Sequence, residues 1–287
     1  MMSRRSLLSL ASLSALAAAC SPLGALNGLN RLTPGDGGVK QMVDGAAFGP
    51  DQRQKLDVWA PRGNGAKLPV IVFFYGGSWN SGLREGYGFA AQALAARGFV
   101  VVVPDYRLVP QVRWPAFIED GAAAVKWVSA NIAAHGGDPA RVAVMGHSAG
   151  AHIALLLTLD RRWGVAGDIK AAVGMAGPYD FLPFTSGGAA DAALGNAANL
   201  ADTQPINFAR KDAPPLLLLH GAADTTVLPR NSTRLANAVT DLGGRAEVRI
   251  YPDVGHIGIL LALSKPFRGK ANALTDASNF LLGVLTP

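Results

Sequence analysis

Five stretches of the chain are apolar at nearly every position, and polar, glycine-containing segments separate them. They lie at 69–75, 99–103, 142–145, 171–175 and 216–219. Strands covered on both faces need such runs, because neither face is left to solvent. Helical stretches lie between the runs and are long enough for right-handed crossovers. The pattern predicts an α/β structure with a mostly parallel, twisted sheet and helices on both faces.

Helices are predicted at 86–97, 116–135, 149–159, 229–242 and 271–285. Two further segments, 54–59 and 247–251, alternate apolar and polar residues as half-buried strands do. We expect a hairpin-type turn over 61–67 to join the first of these to the next strand, and the second to lie near the sheet's edge. The segment 176–213 has few large apolar residues and predicts a small cap.

The N-terminal 49 residues have a different composition. Residues 1–20 carry Arg4 and Arg5, a short apolar run and small residues before Cys20, as signal peptides do. That run is too short to span about 30 Å of hydrocarbon. Residues 21–49 are rich in Gly, Asn, Pro and Asp and predict a flexible tether. The α/β domain is expected over 50–287.

Two properties of this leader leave alternatives open. The Arg4 and Arg5 pair resembles a twin-arginine export signal, and ordinary secretion also fits. Cys20 stands where bacterial lipoprotein signals carry their acylated residue, and an Ala-x-Ala cleavage just before it fits as well. We expect an exported bacterial protein of the periplasm or cell envelope, either secreted or attached to the membrane by an N-terminal lipid.

Charge and cysteine content narrow the function classes. Lys and Arg number 26 against 20 Asp and Glu, a net +6, but they are scattered singly rather than gathered in a patch. This argues against a nucleic-acid partner. With one cysteine no intramolecular disulfide is possible. The sequence indicates no metal site or cofactor and does not predict an oligomeric state.

The sequence GHSAG at 146–150 joins a predicted strand to a predicted helix. A serine on such a sharp turn, with glycines two residues to either side, has its hydroxyl exposed above the sheet. Ligands in open α/β sheets bind beyond the carboxyl ends of strands. Ser148, Asp224 and His256 each follow a strand there, and they supply a nucleophile, a carboxylate and a base in that chain order.

Other residues compete for the last two roles. The remaining histidines are His135, His147, His152 and His220, and the rival acids are Asp253, Asp180 and Asp212. We favour His256 because glycine neighbours in a loop after a late strand let its ring turn inward. We favour Asp224 because it follows a buried strand closely and precedes the base.

A glycine-rich loop follows the first buried strand. Backbone N–H groups that stabilise an oxyanion need small residues for close approach. We therefore expect Gly76, Gly77 and Ser78, together with Ala149 after the nucleophile, to form an oxyanion hole. Trp79, Tyr179 and Phe181 are candidates for lining the substrate pocket, although each also fits core packing.

Four motifs together resemble the carboxylesterase branch of the α/β-hydrolases: GGSW at 76–79 with Gly82, PDYRLVP at 104–110, GGDPARV at 136–142 and GHSAGA at 146–151. The nearest patterns are those of acetyl-esterase and hormone-sensitive-lipase-like enzymes, feruloyl/acetyl-xylan esterase-like domains and isoprenylcysteine methylesterase. The resemblance covers about 51–283. It implies the α/β-hydrolase fold and the roles named above. The chain departs from the family's pattern at two positions, where Tyr75 replaces the usual His and Ser78 replaces a third glycine.

These observations predict a serine hydrolase that cleaves small-molecule carboxylic esters with short-chain or aryl acyl groups through an acyl-enzyme. Two alternatives stay open. The same triad serves amidases, arylformamidases and peptidases, and a binding protein on this fold would do no chemistry.

Overall fold

The computed structural model describes residues 35–63 and 67–286. The predicted signal peptide at 1–20, with Cys20, lies outside the described residues and stays a prediction. The described residues form one sheet of eight strands. The strands are β1 (Val39–Ala47), β2 (Lys55–Pro61), β3 (Leu68–Phe74), β4 (Val100–Pro104), β5 (Gly137–His147), β6 (Ile169–Met175), β7 (Leu216–Gly221) and β8 (Ala246–Tyr251).

The strand order in the sheet is β1-β2-β4-β3-β5-β6-β7-β8. From β4 to β8 all neighbours run parallel, and β1 and β2 add an antiparallel edge. The central strands are buried on both faces, with β4 and β7 buried at every residue. The predicted mostly parallel sheet is thus present, and β8 ends it as the expected edge strand.

The described helices include α1 (Gly88–Ala95), α2 (Ala116–Asn131), α3 (Ala149–Leu159), α4 (Ala189–Leu194), α5 (Arg230–Asp241), α6 (His256–Leu261) and α7 (Ala273–Leu285). The chain moves from β3 to β4 in one direction across the sheet and from β5 to β6 in the other. Because such crossovers are right-handed, α1 and α3 lie on opposite faces. The reversal between β3 and β5 creates the crevice where α/β proteins place their ligands.

Two sequence expectations about the N-terminal part are wrong. The predicted tether over 21–49 includes Val39–Ala47, which is strand β1 paired with β2. The apolar–polar alternation expected of a half-buried strand is not visible in the β1 sequence, because the inward residue Gln41 is polar and the outward residue Met42 is apolar. The expected hairpin over 61–67 does not form, because β2 pairs with β1 and β4 while β3 lies one strand further in.

The connection between β6 and β7 consists of short elements. It holds α4 and two 3-10 helices, Leu200–Thr203 and Pro205–Phe208. These form the small cap that the sequence predicts. Across 35–63 and 67–286, no helix combines the length and apolarity that crossing a bilayer requires.

Candidate active site

The predicted site residues meet at the carboxyl ends of the parallel strands. Gly76 and Gly77 follow β3, Ser148 follows β5, Asp224 follows β7 and His256 follows β8. These strands are parallel, so their carboxyl ends lie together, and residues more than a hundred positions apart come within bonding distance.

Ser148 occupies a strained turn between β5 and α3. Its φ is 55°, in the region that non-glycine residues rarely adopt. The turn needs both flanking glycines: a Cβ on Gly146 would lie 2.3 Å from the Gly150 carbonyl oxygen, and one on Gly150 would lie 2.1 Å from that of Phe74. The Ser148 N–H donates to the Met175 carbonyl at 2.9 Å, which holds the elbow against β6.

Three side chains form a hydrogen-bonded chain at this edge. His256 Nε2 lies 2.9 Å from Ser148 Oγ, and His256 Nδ1 lies 2.7 Å from Asp224 Oδ2. Since a carboxylate accepts only, Nδ1 carries the hydrogen and Nε2 is free to accept from the serine hydroxyl. The Asp224 side chain has no exposed surface, while that of His256 is 11% exposed. The imidazole therefore separates a buried charge from an open pocket.

The Asp224 carboxylate is surrounded by donors. Its Oδ1 accepts from the N–H groups of Thr226 and Val227, both at 2.9 Å, and its Oδ2 faces His256 and, at 3.2 Å, His220 Nε2. Burial alone would raise the pKa of Asp224, but the bonds from His220, His256 and the Val227 N–H outweigh it and hold this pKa far below its usual value. Asp224 is therefore ionised at neutral pH.

The other histidines are placed elsewhere. His147 Nε2 donates to the His256 carbonyl oxygen at 2.9 Å, and burial, followed by nearby His256, lowers the pKa of His147 to about 3. His152 donates to the Thr203 carbonyl, and burial lowers its pKa to about 4. His220 lies beside Asp224 under the site, while His135 stacks on Trp127 at the opposite edge of the sheet.

The rival carboxylates also point away from His256. Asp180 pairs with Arg234, and Asp212 pairs with Arg210. Asp253 is exposed, in a turn where its φ is 55°. None of these three carboxylates forms a hydrogen bond with His256 in the described structure. Among its residues, no group of three or more His, Cys, Asp or Glu is arranged to hold a metal ion.

The glycine loop lies against the elbow. A Cβ on Gly76 would stand 3.0 Å from Ser148 Cβ, and one on Gly77, whose φ is 132°, would stand 2.2 Å from the Ser81 carbonyl oxygen. The Gly77 carbonyl accepts from the N–H groups of Asn80 and Ser81, forming a tight turn. Ser78 follows with φ 53° and lines the same pocket as Ser148.

Backbone N–H groups next to Ser148 are free to bind an oxyanion. Within the described residues, the Ser78 N–H forms no backbone or side-chain hydrogen bond. Ala149 begins α3, and the first N–H groups of a helix have no partner within it. Ser78 and Ala149 both line the pocket with Ser148. This geometry matches what a donor site for developing negative charge requires.

Tyr75 supports the loop from below. Its hydroxyl donates to Asp105 Oδ1 at 2.6 Å and accepts from Arg53 Nη2 at 2.9 Å, and its ring stacks on Tyr106 at 4.8 Å. Asp105 is held in turn by the Arg84 guanidinium at 2.9 Å. Tyr75 thus keeps the loop anchored through a buried network.

A pocket of about 450 Å³ opens at Ser148. Trp79 and Phe181 line it, with their rings nearly parallel at 6.4 Å between centroids. Tyr179, the third predicted pocket residue, does not: its side chain is fully buried and its ring packs against Gly174 and Gly177. The prediction for Tyr179 is wrong, because its ring lies in the core against these two glycines rather than in the pocket.

Sequence reasoning missed residues that shape the site. Arg230 and Asn231, at the start of α5, line the pocket, and the Asn231 side-chain oxygen accepts from the N–H groups of Tyr179 and Asp180, each at 2.9 Å. His147 joins the backbone of His256 to the elbow. The available signal was position, because His147 ends β5 and Arg230 and Asn231 begin α5, at the carboxyl ends of the parallel strands.

Solved structures share this architecture. A truncated carbohydrate esterase from gut microbiota matches with a TM-score of 0.79 at 21% identity, covering 89% of this chain and all of that one. The thermostable carboxylesterase EstE1, from a metagenomic library, matches with a TM-score of 0.77 at 22% identity, covering 94% and 99%. The strand order, the elbow and these likenesses define an α/β-hydrolase, and the predicted fold is confirmed.

Sequence comparison narrows the class. The BD-FAE family model matches residues 56–239, more than half of the chain, so the chain belongs to the BD-FAE family. The isoprenylcysteine α-carbonyl methylesterase of Arabidopsis thaliana is 30% identical over 264 residues, 83% of this chain. Esterase LipC of Mycobacterium tuberculosis is 34% identical over 203 residues, 63% of this chain. The predicted carboxylesterase branch is confirmed.

The chain is similar to only part of these two relatives. The aligned regions span 61% of the plant methylesterase and 50% of the mycobacterial esterase.

Proposed function

We propose that this protein is a serine esterase that hydrolyses small-molecule carboxylic esters through an acyl-enzyme. The observation that carries the proposal is the continuous chain from Ser148 Oγ through the His256 ring to Asp224, with distances of 2.9 and 2.7 Å. A neutral imidazole in this tautomer is the base that a serine hydroxyl needs. The names of the sequence relatives, which are esterases, support the same chemistry.

The proposed first step is acylation. His256 Nε2 accepts the Ser148 proton while Oγ attacks the ester carbonyl carbon. The tetrahedral oxyanion is stabilised by N–H groups of Ser78 and Ala149, with Gly76 and Gly77 shaping the loop. His256 then donates its proton to the departing alcohol. Asp224 stays ionised throughout, because its donors hold its pKa low, and it stabilises the imidazolium.

Deacylation repeats these roles with water. His256 accepts a proton from water, whose oxygen attacks the acyl carbon, and the second intermediate collapses to release the acid and restore the Ser148 hydroxyl. The pocket at Ser148, bounded by Trp79 and Phe181, favours short-chain or aryl acyl groups. The cap between β6 and β7 contributes only short elements and leaves the pocket open to solvent.

The test compares Ser148→Ala with Ser129→Ala, whose hydroxyl donates to a carbonyl within α2, far from the site. Both purified variants are assayed on acetyl, butyryl, longer acyl and feruloyl esters and on amides of matched acyl size. We expect Ser148→Ala to lose ester turnover and Ser129→Ala to keep it. Retained turnover in Ser148→Ala contradicts the nucleophile, and faster cleavage of amides than of esters contradicts the reaction class.

A further inference from the structure

The pocket at Ser148 contains an unbalanced positive charge. Of the described residues that line it, two carry a formal charge at neutral pH, Asp180 and Arg230. Asp180 is already paired: its Oδ2 lies 2.7 Å from Nη1 of Arg234. No ion pair among the described residues includes Arg230, which is exposed at the start of α5. The charge left for a ligand is therefore that of the Arg230 guanidinium.

The backbone that carries Arg230 is held firmly against the cap. The next residue, Asn231, is buried, and its side-chain oxygen accepts from the N–H groups of both Tyr179 and Asp180 at 2.9 Å. The Asn231 side-chain N–H also donates to the Leu228 carbonyl at 3.1 Å. The start of α5 is thus fixed on one wall of the pocket, with Ser148 and the donor loop on another.

We propose that Arg230 binds a carboxylate on the substrate, so that the preferred esters are anionic half-esters rather than neutral ones. This inference rests on the proposed esterase function. A planar guanidinium binds a carboxylate in a bidentate fashion, which orients the substrate as well as attracting it. The net charge of +6 adds a field that attracts anions from a distance.

The effect of Arg230 must be separated from the effect of the protein's net positive charge. Arg97 provides the matched control, because it is exposed and takes part in no ion pair of the described structure. It precedes β4 and so lies near the amino ends of the parallel strands, away from the pocket. Arg97→Gln and Arg230→Gln remove the same charge. Asp180→Asn provides the opposite change within the pocket, since it removes a carboxylate from the lining and leaves Arg234 without this partner.

The measurement is the ratio of kcat/KM for methyl hydrogen succinate to that for methyl butanoate, by pH-stat. An alcohol-side pair, 4-acetoxybenzoate against 4-acetoxybenzamide, shows on which side of the ester the carboxylate lies. We expect Arg230→Gln to lower the ratio about five- to tenfold in one pair, mainly through KM, because a hydrogen bond to a charged group is lost. Asp180→Asn should raise the ratio, and Arg97→Gln should leave it unchanged.

The outcomes separate the two proposals. Normal turnover of neutral esters, with ratios that Arg230→Gln changes no more than Arg97→Gln does, overturns the role of Arg230 and leaves the esterase intact. Absence of turnover on any ester overturns both. A ratio that falls as ionic strength rises in the parent protein, but not in Arg230→Gln, supports a local ion pair.

Discussion

His220 Nε2 lies 3.2 Å from Asp224 Oδ2, the same oxygen that His256 Nδ1 reaches at 2.7 Å. Nε2 also lies 2.8 Å from the Val227 carbonyl oxygen, and Nδ1 lies 2.8 Å from Ser232 Oγ. Both neighbours of Nε2 are acceptors, so Nε2 carries a hydrogen and Nδ1 accepts from the Ser232 hydroxyl. The fully buried ring thus holds the loop from which Asp224, the proposed acid of the triad, projects.

This contact makes His220 a positioning residue whose loss affects turnover more than binding. Replacing it with Leu removes the Nε2 donor and leaves the Val227 carbonyl and Asp224 with one partner fewer. We expect a loss of about 1–3 kcal/mol in the free energy of unfolding and a fall of about tenfold in kcat at nearly constant KM. Steady-state kinetics and urea unfolding check both.

The conservative variant distinguishes positioning from packing. His220→Gln retains a side-chain N–H that can reach the Val227 carbonyl, so it should recover most of the kcat lost in His220→Leu. Equal kcat in the Leu and Gln variants would contradict a role for the donor, whatever their stabilities.

Gly77 is the position where the donor loop least tolerates a side chain. A Cβ there would lie 2.2 Å from the Ser81 carbonyl, and φ is 132°. Gly77→Ala should therefore distort the turn and lower kcat by tenfold or more, towards the about 10²–10³ typical of a lost oxyanion donor. Gly98→Ala is the control, because Gly98 also has a positive φ, of 95°, but nothing lies within 4 Å of an added Cβ. Similar kcat values in both variants would contradict the proposed loop function.

We expect the Tyr75 hydroxyl to contribute to both the stability of the protein and its activity. Tyr75→Phe leaves Asp105 and Arg53 without the hydroxyl that joins them, so we expect unfolding to cost about 1–3 kcal/mol less and kcat to fall. Tyr251→Phe removes a similar 2.6 Å bond, to Asp276 on α7, at the sheet's edge. It should lower Tm while leaving kcat unchanged. A fall in Tm without a fall in kcat for Tyr75→Phe would argue against loop support.

The buried neutral histidines predict a loss of stability in acid. Burial lowers the pKa of His147 to about 3 and that of His152 to about 4, both below the ordinary value of 6.5. At a pH between its folded-state pKa and about 6.5, each histidine is protonated in the unfolded chain and neutral in the folded protein. The free energy of unfolding therefore has its full value above about pH 6.5 and declines as the pH falls. Each histidine contributes a slope of about 1.4 kcal/mol per pH unit in that window.

Urea unfolding between pH 7.5 and 4.5 measures this slope. His152→Gln should reduce it by the share of one histidine. A slope in His152→Gln equal to that of the parent would contradict the burial argument.

The sequence predicted most of the sheet because parallel strands that are buried on both faces are apolar at nearly every position. The strands β3, β4, β5, β6 and β7 were found this way, and the elbow was found because strand, glycines and helix coincide within a few residues. Strand β1 was missed because its inward positions include polar residues and it pairs only at an edge. Helix α6 was missed because its six residues are too few to show a helical period.

The site was predictable where chemistry follows a strand end, as for Ser148, Asp224 and His256. The pocket was less so, because its walls come from segments far apart in the chain whose side chains turn either inward or outward. Tyr179 and Phe181 stand two residues apart, yet one lies in the core and the other lines the pocket. Arg230 was not predicted because a single arginine has no sequence pattern.

The central claim is that Ser148 is the nucleophile activated by His256. Its most direct test is reaction with a fluorophosphonate, followed by peptide mapping of the adduct by mass spectrometry. We predict one equivalent of phosphonate on Ser148, matched by loss of ester turnover, and little labelling after His256→Ala. Labelling at another residue, or full ester turnover after stoichiometric modification of Ser148, would contradict the account.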